Sequence, residues 1–149
     1  MSDPVTFTSV TPNIGLPLLL AGQSQKEFFV NQSLALLDAL QGGSVRASLA
    51  APPAAQDGDC YRIVAPATEA WAGCEDHLAV WIGGDWHFIA PREGMGVFDI
   101  AAGHGLVFRS GWQRGLAPAV PTGGVIVDSQ ARAAILQLIQ SLRAIGILA

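Results

Sequence analysis

The sequence predicts an α+β fold: an extended N-terminal arm and helix, a small antiparallel β-meander or barrel, and a C-terminal helix. Three observations carry that reading. Apolar residues recur at helical spacing in two separate stretches, Phe29 to Leu40 and Ile135 to Ile145. Between them, Leu78-Ala79-Val80-Trp81-Ile82 and Asp85-Trp86-His87-Phe88-Ile89 flank Gly83-Gly84, a hairpin with the positive-φ residues of a primed turn. Proline- and glycine-rich stretches around Ala51-Pro52-Pro53 and between Ala117 and Gly124 separate the parts.

A chain of 149 residues is one domain, or one domain with extensions. It is long enough to bury roughly 70% of its unfolded surface, so folding needs no disulfide or metal. Half of the residues are apolar and only 13% are charged, against about 25% in an average soluble protein. That shortfall points to surface covered by something else, most simply by copies of the chain itself.

Residues 1–22 carry Pro4, Pro12 and Pro17 and no periodicity that survives them. They read as an extended arm, with a reach of about 70 Å at roughly 3.3 Å per residue. Val5, Phe7, Val10, Ile14, Leu16, Leu18 and Leu19 make it too apolar for a disordered tail. The arm therefore lies against its own domain or against a neighbouring subunit or shell. Residues 23–43 hold the first helix. Ser24 and Glu27 form a capping box, in which the Glu27 carboxylate reaches back to the Ser24 amide. Phe29, Val30, Leu34, Leu36, Leu37 and Leu40 give a wide apolar face, and Gly42-Gly43 stop the helix.

Residues 44–58 read as a linker, and residues 59–118 as a small β domain. Within it Cys60 to Val64 is a strand, the Gly83-Gly84 hairpin follows, and Met95 to Ala101 and Leu106 to Arg109 are two further short strands. A degenerate repeat runs through the region. His77 to Trp86 and His104 to Trp112 both read as strand, aromatic, glycine turn, tryptophan. Residues 119–149 provide a short lead-in and the second helix, Gln130 to Ile145, capped by Asp128 or Ser129. Ile135, Leu138, Ile139, Leu142 and Ile145 are its apolar positions. Ala131, Leu138 and Ile145 fall on heptad d, with Ile135 and Leu142 on a. The helix packs on its own domain or around a symmetry axis.

Few chemistries fit the remaining residues. A net charge of -4, with Lys26 the single lysine and seven scattered arginines, argues against nucleic acid. No run approaches the roughly 18 apolar residues of a membrane span, and the N-terminus lacks the basic start of a signal peptide. The expected setting is therefore synthesis in the cytoplasm, without a membrane. Cys60, Cys74 and His77 offer an incomplete zinc set. Glu75 and Asp76 surround Cys74, the opposite of the electropositive setting a reactive thiolate needs. No nucleophile elbow or phosphate loop is present. The expectation is a non-enzymatic protein with no catalytic residues, no metal and no cofactor. Trp71, Trp81, Trp86 and Trp112 crowd the β region. They are core residues, a platform for a sugar ring, or part of a subunit interface.

Several pieces resemble a known family. They are Leu16-Pro17-Leu18-Leu19-Leu20-Ala21-Gly22-Gln23-Ser24-Gln25-Lys26-Glu27 with Asn31 and Leu37-Asp38, Asp57-Gly58-Asp59, Ala70-Trp71-Ala72-Gly73, the Trp81–Trp86 hairpin ending at Pro91, and Arg132-Ala133-Ala134-Ile135. Together they resemble an uncharacterised family of phage-like proteins of alphaproteobacterial prophages and gene transfer agents. The resemblance implies a structural virion component on the capsid exterior: the base or adaptor of a head spike, attached to the capsid protein at a vertex and carrying a host-binding fibre protein. It implies a homo-oligomer, a pentamer at a five-fold vertex. The alternative implied is a carbohydrate-binding module for host surface polysaccharide. Relatives often have Thr-His where this chain has Phe29-Val30, and many continue into fibre or glycan-binding repeats. The base or adaptor role is thus the leading expectation, with the arm as capsid anchor.

Overall fold

The computed structural model describes residues 9–20, 22, 26–120, 122–123 and 128–149. Among the described residues, two helices and eight strands give an α+β fold with a C-terminal helix. The strands lie in open sheets, and among the described residues none closes into a barrel. The chain divides after Pro91 into two compact units, so the β region foreseen at 59–118 is shared between them.

The first unit holds helix α1 (Lys26–Gln41) and strands β1 (Ser44–Val45), β2 (Ser48–Leu49), β3 (Cys60–Ile63), β4 (Leu78–Ile82) and β5 (Asp85–Ile89). The stretch read as a linker thus contributes two strands. Val45 is fully buried, and the Arg46 amide donates to the Cys60 carbonyl at 2.8 Å. The main sheet runs β2-β3-β4-β5, parallel between β2 and β3 and antiparallel beyond. Strand alternation gives it two faces. One carries Cys60, Leu78, Val80 and His87, and α1 packs across β4. The other carries Tyr61, Ile63 and Ala79, closed by Trp71 from a short 3-10 turn, Glu69–Trp71.

Local motifs fasten this unit. Asp57 Oδ1 accepts from the Gly83 amide at 2.8 Å, holding the β4–β5 turn, where Gly83 and Gly84 have φ of 61° and 90°. Asp59 pairs with Arg46 and accepts from the Gln56 amide at 2.9 Å. The Asp-Gly-Asp motif is therefore a hairpin fastener.

The second unit contains β6 (Gly96–Asp99), β7 (His104–Phe108), β8 (Trp112–Arg114) and α2 (Ser129–Ala144). The three strands form an antiparallel meander. Val97 and Leu106 are buried on one face, while Phe98 and Val107 are exposed on the other. The sequence repeat survives as a repeated contact. Trp81 and Trp86 pair across β4–β5 at 4.9 Å, and Phe108 and Trp112 pair across β7–β8 at 5.5 Å, both edge to face.

Asp128 caps α2, accepting from the Gln130 and Ala131 amides at 3.0 and 2.9 Å. The helix ends in a Schellman motif. The Gly146 amide donates to the Arg143 carbonyl at 3.0 Å, and the Ile147 amide to the Leu142 carbonyl at 2.9 Å. Gly146 sits at φ 72°, and a Cβ there would overlap Phe98. Its carbonyl accepts from the Gly105 amide at 2.6 Å, and Leu148 bridges Gly115. The apolar end at Ile147-Leu148-Ala149 is thus laid along the meander. Gly146→Ala combines a strained φ with overpacking and should cost about 2 kcal/mol in urea denaturation. A loss under about 0.5 kcal/mol would show that the helix end is not locked in this way.

Candidate functional site

The first candidate site is the junction of α1 and residues 9–20. Helical spacing gives α1 a wide apolar face without saying which way it turns. The structure turns most of that face outward, with Leu34 and Leu36 half-buried. Phe29 is 76% exposed, and Val30, Leu37 and Leu40 are exposed with it. The side turned inward carries Glu27, Asn31, Leu34, Ala35 and Asp38, a stripe at spacings of four, three, one and three. Its polar members bind backbone. Glu27 Oε1 accepts from the Gly22 amide at 3.1 Å. Asn31 brackets Leu19, accepting from its amide at 2.8 Å and donating to its carbonyl at 2.9 Å. Asp38 accepts from the Thr11 hydroxyl at 2.8 Å and from the Asn13 and Ile14 amides at 2.9 and 2.7 Å.

Residues 9–20 are consequently not an extended arm. They double back, with Val10 bridged to Pro17 and the Thr11 amide on the Leu16 carbonyl at 2.9 Å. Two side chains of one helix, Asn31 and Asp38, supply partners for backbone groups that no strand takes, which is why the segment holds this shape. Pro12 closes on Gly58, where a Cβ would overlap its ring. Burial raises the Asp38 carboxyl, but the amides of Ile14 and Asn13 and the Thr11 hydroxyl outweigh it. The net effect holds Asp38 below its ordinary 3.8.

Of the anchoring residues named from sequence, Val5 and Phe7 lie outside the described residues, as does Ser24 of the capping box. Val10 and Ile14 are exposed, and Leu16, Leu18 and Leu19 are half-buried. The inward polar stripe escaped the sequence reading. Its signal was present: Glu27, Asn31 and Asp38 are four and seven residues apart, on one side of a helix.

The second candidate is α2. Of its apolar positions, Ile139 is buried at 6% exposure. Ile135 is exposed, Leu138 is 59% exposed and Ile145 66%, with Leu142 half-buried. The structure therefore separates Ile139 from the other four, which keep the a/d stripe facing outward.

Trp71 belongs to no exposed platform. Trp71 is fully buried, 6.1 Å from Tyr61 and 5.1 Å from Trp86. Trp81, Trp86 and Trp112 are half-buried. Trp112 belongs to the second unit. The Ala-Trp-Ala-Gly motif is thus a core plug.

The cysteines sit on different sides of the first sheet. Cys60 is buried beside Val80, and burial pushes its thiol up to about 12. Cys74 packs against the Trp71 cluster. Among the described residues, no three His, Cys, Asp or Glu side chains gather as a metal site requires. Nor is any helix long and apolar enough to cross a membrane.

A family model described as "protein of unknown function (DUF2793)" matches residues 30–113, more than half of the chain. The chain belongs to the DUF2793 family. No curated protein matches it. The DUF2793 match begins within α1 and ends in β8. It takes in Asn31, Asp38, the Asp-Gly-Asp fastener and the Trp71 plug. Residues 9–22 and α2 lie outside it.

Proposed function

We propose that this DUF2793 protein is a non-enzymatic structural subunit of a phage-like particle, which assembles with copies of itself into the base of a capsid head spike. One observation carries the proposal. A helix of 16 residues buries only Ile139. In proteins most of a helix's stability comes from packing an amphipathic face rather than from propensity. The stripe of Ile135, Leu138, Leu142 and Ile145 is what such packing would use. Copies of α2 around an axis would cover it, as coiled-coil seams do. A five-fold vertex makes a pentamer the natural assembly, with heterologous contacts that close into a ring. The resemblance to head-spike proteins of gene transfer agents supplies the particle, the vertex capsid protein and the outward fibre protein as partners.

Light scattering on the purified chain tests this. The expected mass is five times the 15.5 kDa subunit. Leu138→Glu should reduce it to the monomer without changing helix content, because Leu138 is 59% exposed in its own chain. A wild-type monomer, or an unchanged mass in the variant, would remove α2 as the assembling element.

Capsid attachment through residues 9–20 needs a gentler variant than deletion, which would strand Asn31 and Asp38. Val10→Ser with Ile14→Ser removes exposed apolar surface and leaves the backbone bonds in place. The anchor reading expects particle attachment to fall while the denaturation midpoint holds.

A further inference from the structure

Residues 10–19, the inward side of α1 and the β4–β5 turn line an open cavity of about 660 Å³ within the first unit. Small-ligand sites span about 300–1,000 Å³. Leu18, Leu19 and Ile82 give it apolar walls, while Glu27, Asp57 and His87 bring polar groups to it.

Glu27 is the informative member. It is only 8% exposed. Its Oε1 is taken by the Gly22 amide, and its Oε2 has no partner among the described residues. A shielded, unpartnered carboxylate oxygen is costly. The last torsion of Glu is broad, so the carboxylate can turn Oε2 toward the cavity that its side chain already lines.

The rest of the lining sets the sign of the ligand. Asp57 is the second carboxylate, and the described lining contains no Lys or Arg. Gln32 Nε2 lies 3.1 Å from His87 Nδ1, tying α1 to β5 across the cavity. With that amide donating, His87 Nδ1 is the acceptor. Acceptors and negative charge dominate, beside an apolar wall.

We propose that this cavity binds an alkylammonium or guanidinium group carried on a short apolar stem, with Glu27 as its counter-ion. The stem lies on Leu18, Leu19 and Ile82, and the cationic head donates to Glu27 Oε2. The source is a free amine or the basic side chain of a protein partner. The proposal is independent of how α2 assembles.

The test is an amide-resolved NMR titration of the full chain with n-butylammonium, with n-butanol as neutral control, and with acetyl-Ala-Lys-Ala-amide. Butylammonium should shift the Leu19, Gly58 and Gly83 amides, and butanol should bind at least about tenfold more weakly. Glu27→Gln should weaken butylammonium by about tenfold or more. Should Glu27→Gln fail to fold, Asp57→Asn replaces it, with a smaller loss expected. Ala35→Leu fills the cavity from α1 and should abolish the shifts while the protein stays folded. Binding of the tripeptide as well would identify a protein side chain as the source, and binding of butylammonium alone a free amine. Equal binding of butanol, undiminished binding to Ala35→Leu, or no shift at millimolar butylammonium would each overturn the proposal.

Discussion

Asp38→Ala should release residues 9–20 from α1 and cost about 4 kcal/mol of folding stability. Asp38 is fully buried, and three donors converge on its carboxylate. Hydrogen bonds to a charged group contribute about 1.5–3 kcal/mol each, and donors left buried without a partner add desolvation cost. Asp38→Asn keeps the shape but turns an N–H toward one of the donors, so about 2 kcal/mol is expected for it. Chemical denaturation gives both values. Hydrogen exchange at the Asn13 and Ile14 amides should accelerate in both variants relative to β4.

The same lock predicts acid lability with a definite sign. Asp38 has a folded-state value held below 3.8, whereas the unfolded chain has the ordinary one. Its contribution is therefore complete above the unfolded value and is lost as pH falls through the folded one. Exchange at Asn13 and Ile14, corrected for intrinsic rates, should stay slow from neutral pH down to about 4 and rise below it. In Asp38→Asn that rise should be missing.

How far the sequence revealed the fold depends on which physical signal was local. The β4–β5 hairpin was legible residue for residue, because Gly83-Gly84 admits few turns and the turn sets the register. The cap of α2, read as Asp128 or Ser129, was legible because it too is local. Strands β1 and β2 were not. They are two residues each, too short for alternation to register, and Ala51-Pro52-Pro53 beside them speaks for a loop.

The candidate sites divide along the same line. The apolar spacing of α2 could be read because it depends on helical periodicity alone, while which of its residues are buried could not. The seating of α1 could not. Spacing identifies an apolar face but not which way it turns. What decides the outcome is long-range: backbone donors at Thr11 to Leu19 need acceptors, and Asn31 and Asp38 are the side chains that provide them. Unpaired buried amides cost more than leaving Phe29 and Leu37 exposed.

Trp71→Ala should unfold the first unit or destabilise it by about 4 kcal/mol. Trp71 is the largest fully buried side chain, and it closes the sheet face formed by Tyr61, Ile63 and Ala79. Its ring packs edge to face on Trp86, with an interplanar angle of 80°. Removing it leaves a cavity the sheet cannot close, since β3 and β4 are fixed by their ladder. Trp71→Phe provides the control. The indole Nε1 has no hydrogen-bond partner among the described residues, so Phe forfeits volume but no bond and should cost about half as much. Trp112→Ala, in a different unit and half-buried, should leave the first unit's transition unchanged. If Trp71→Ala instead denatures like the wild type, the residue is not the plug of this core, and its aromatic surface is free for a ligand.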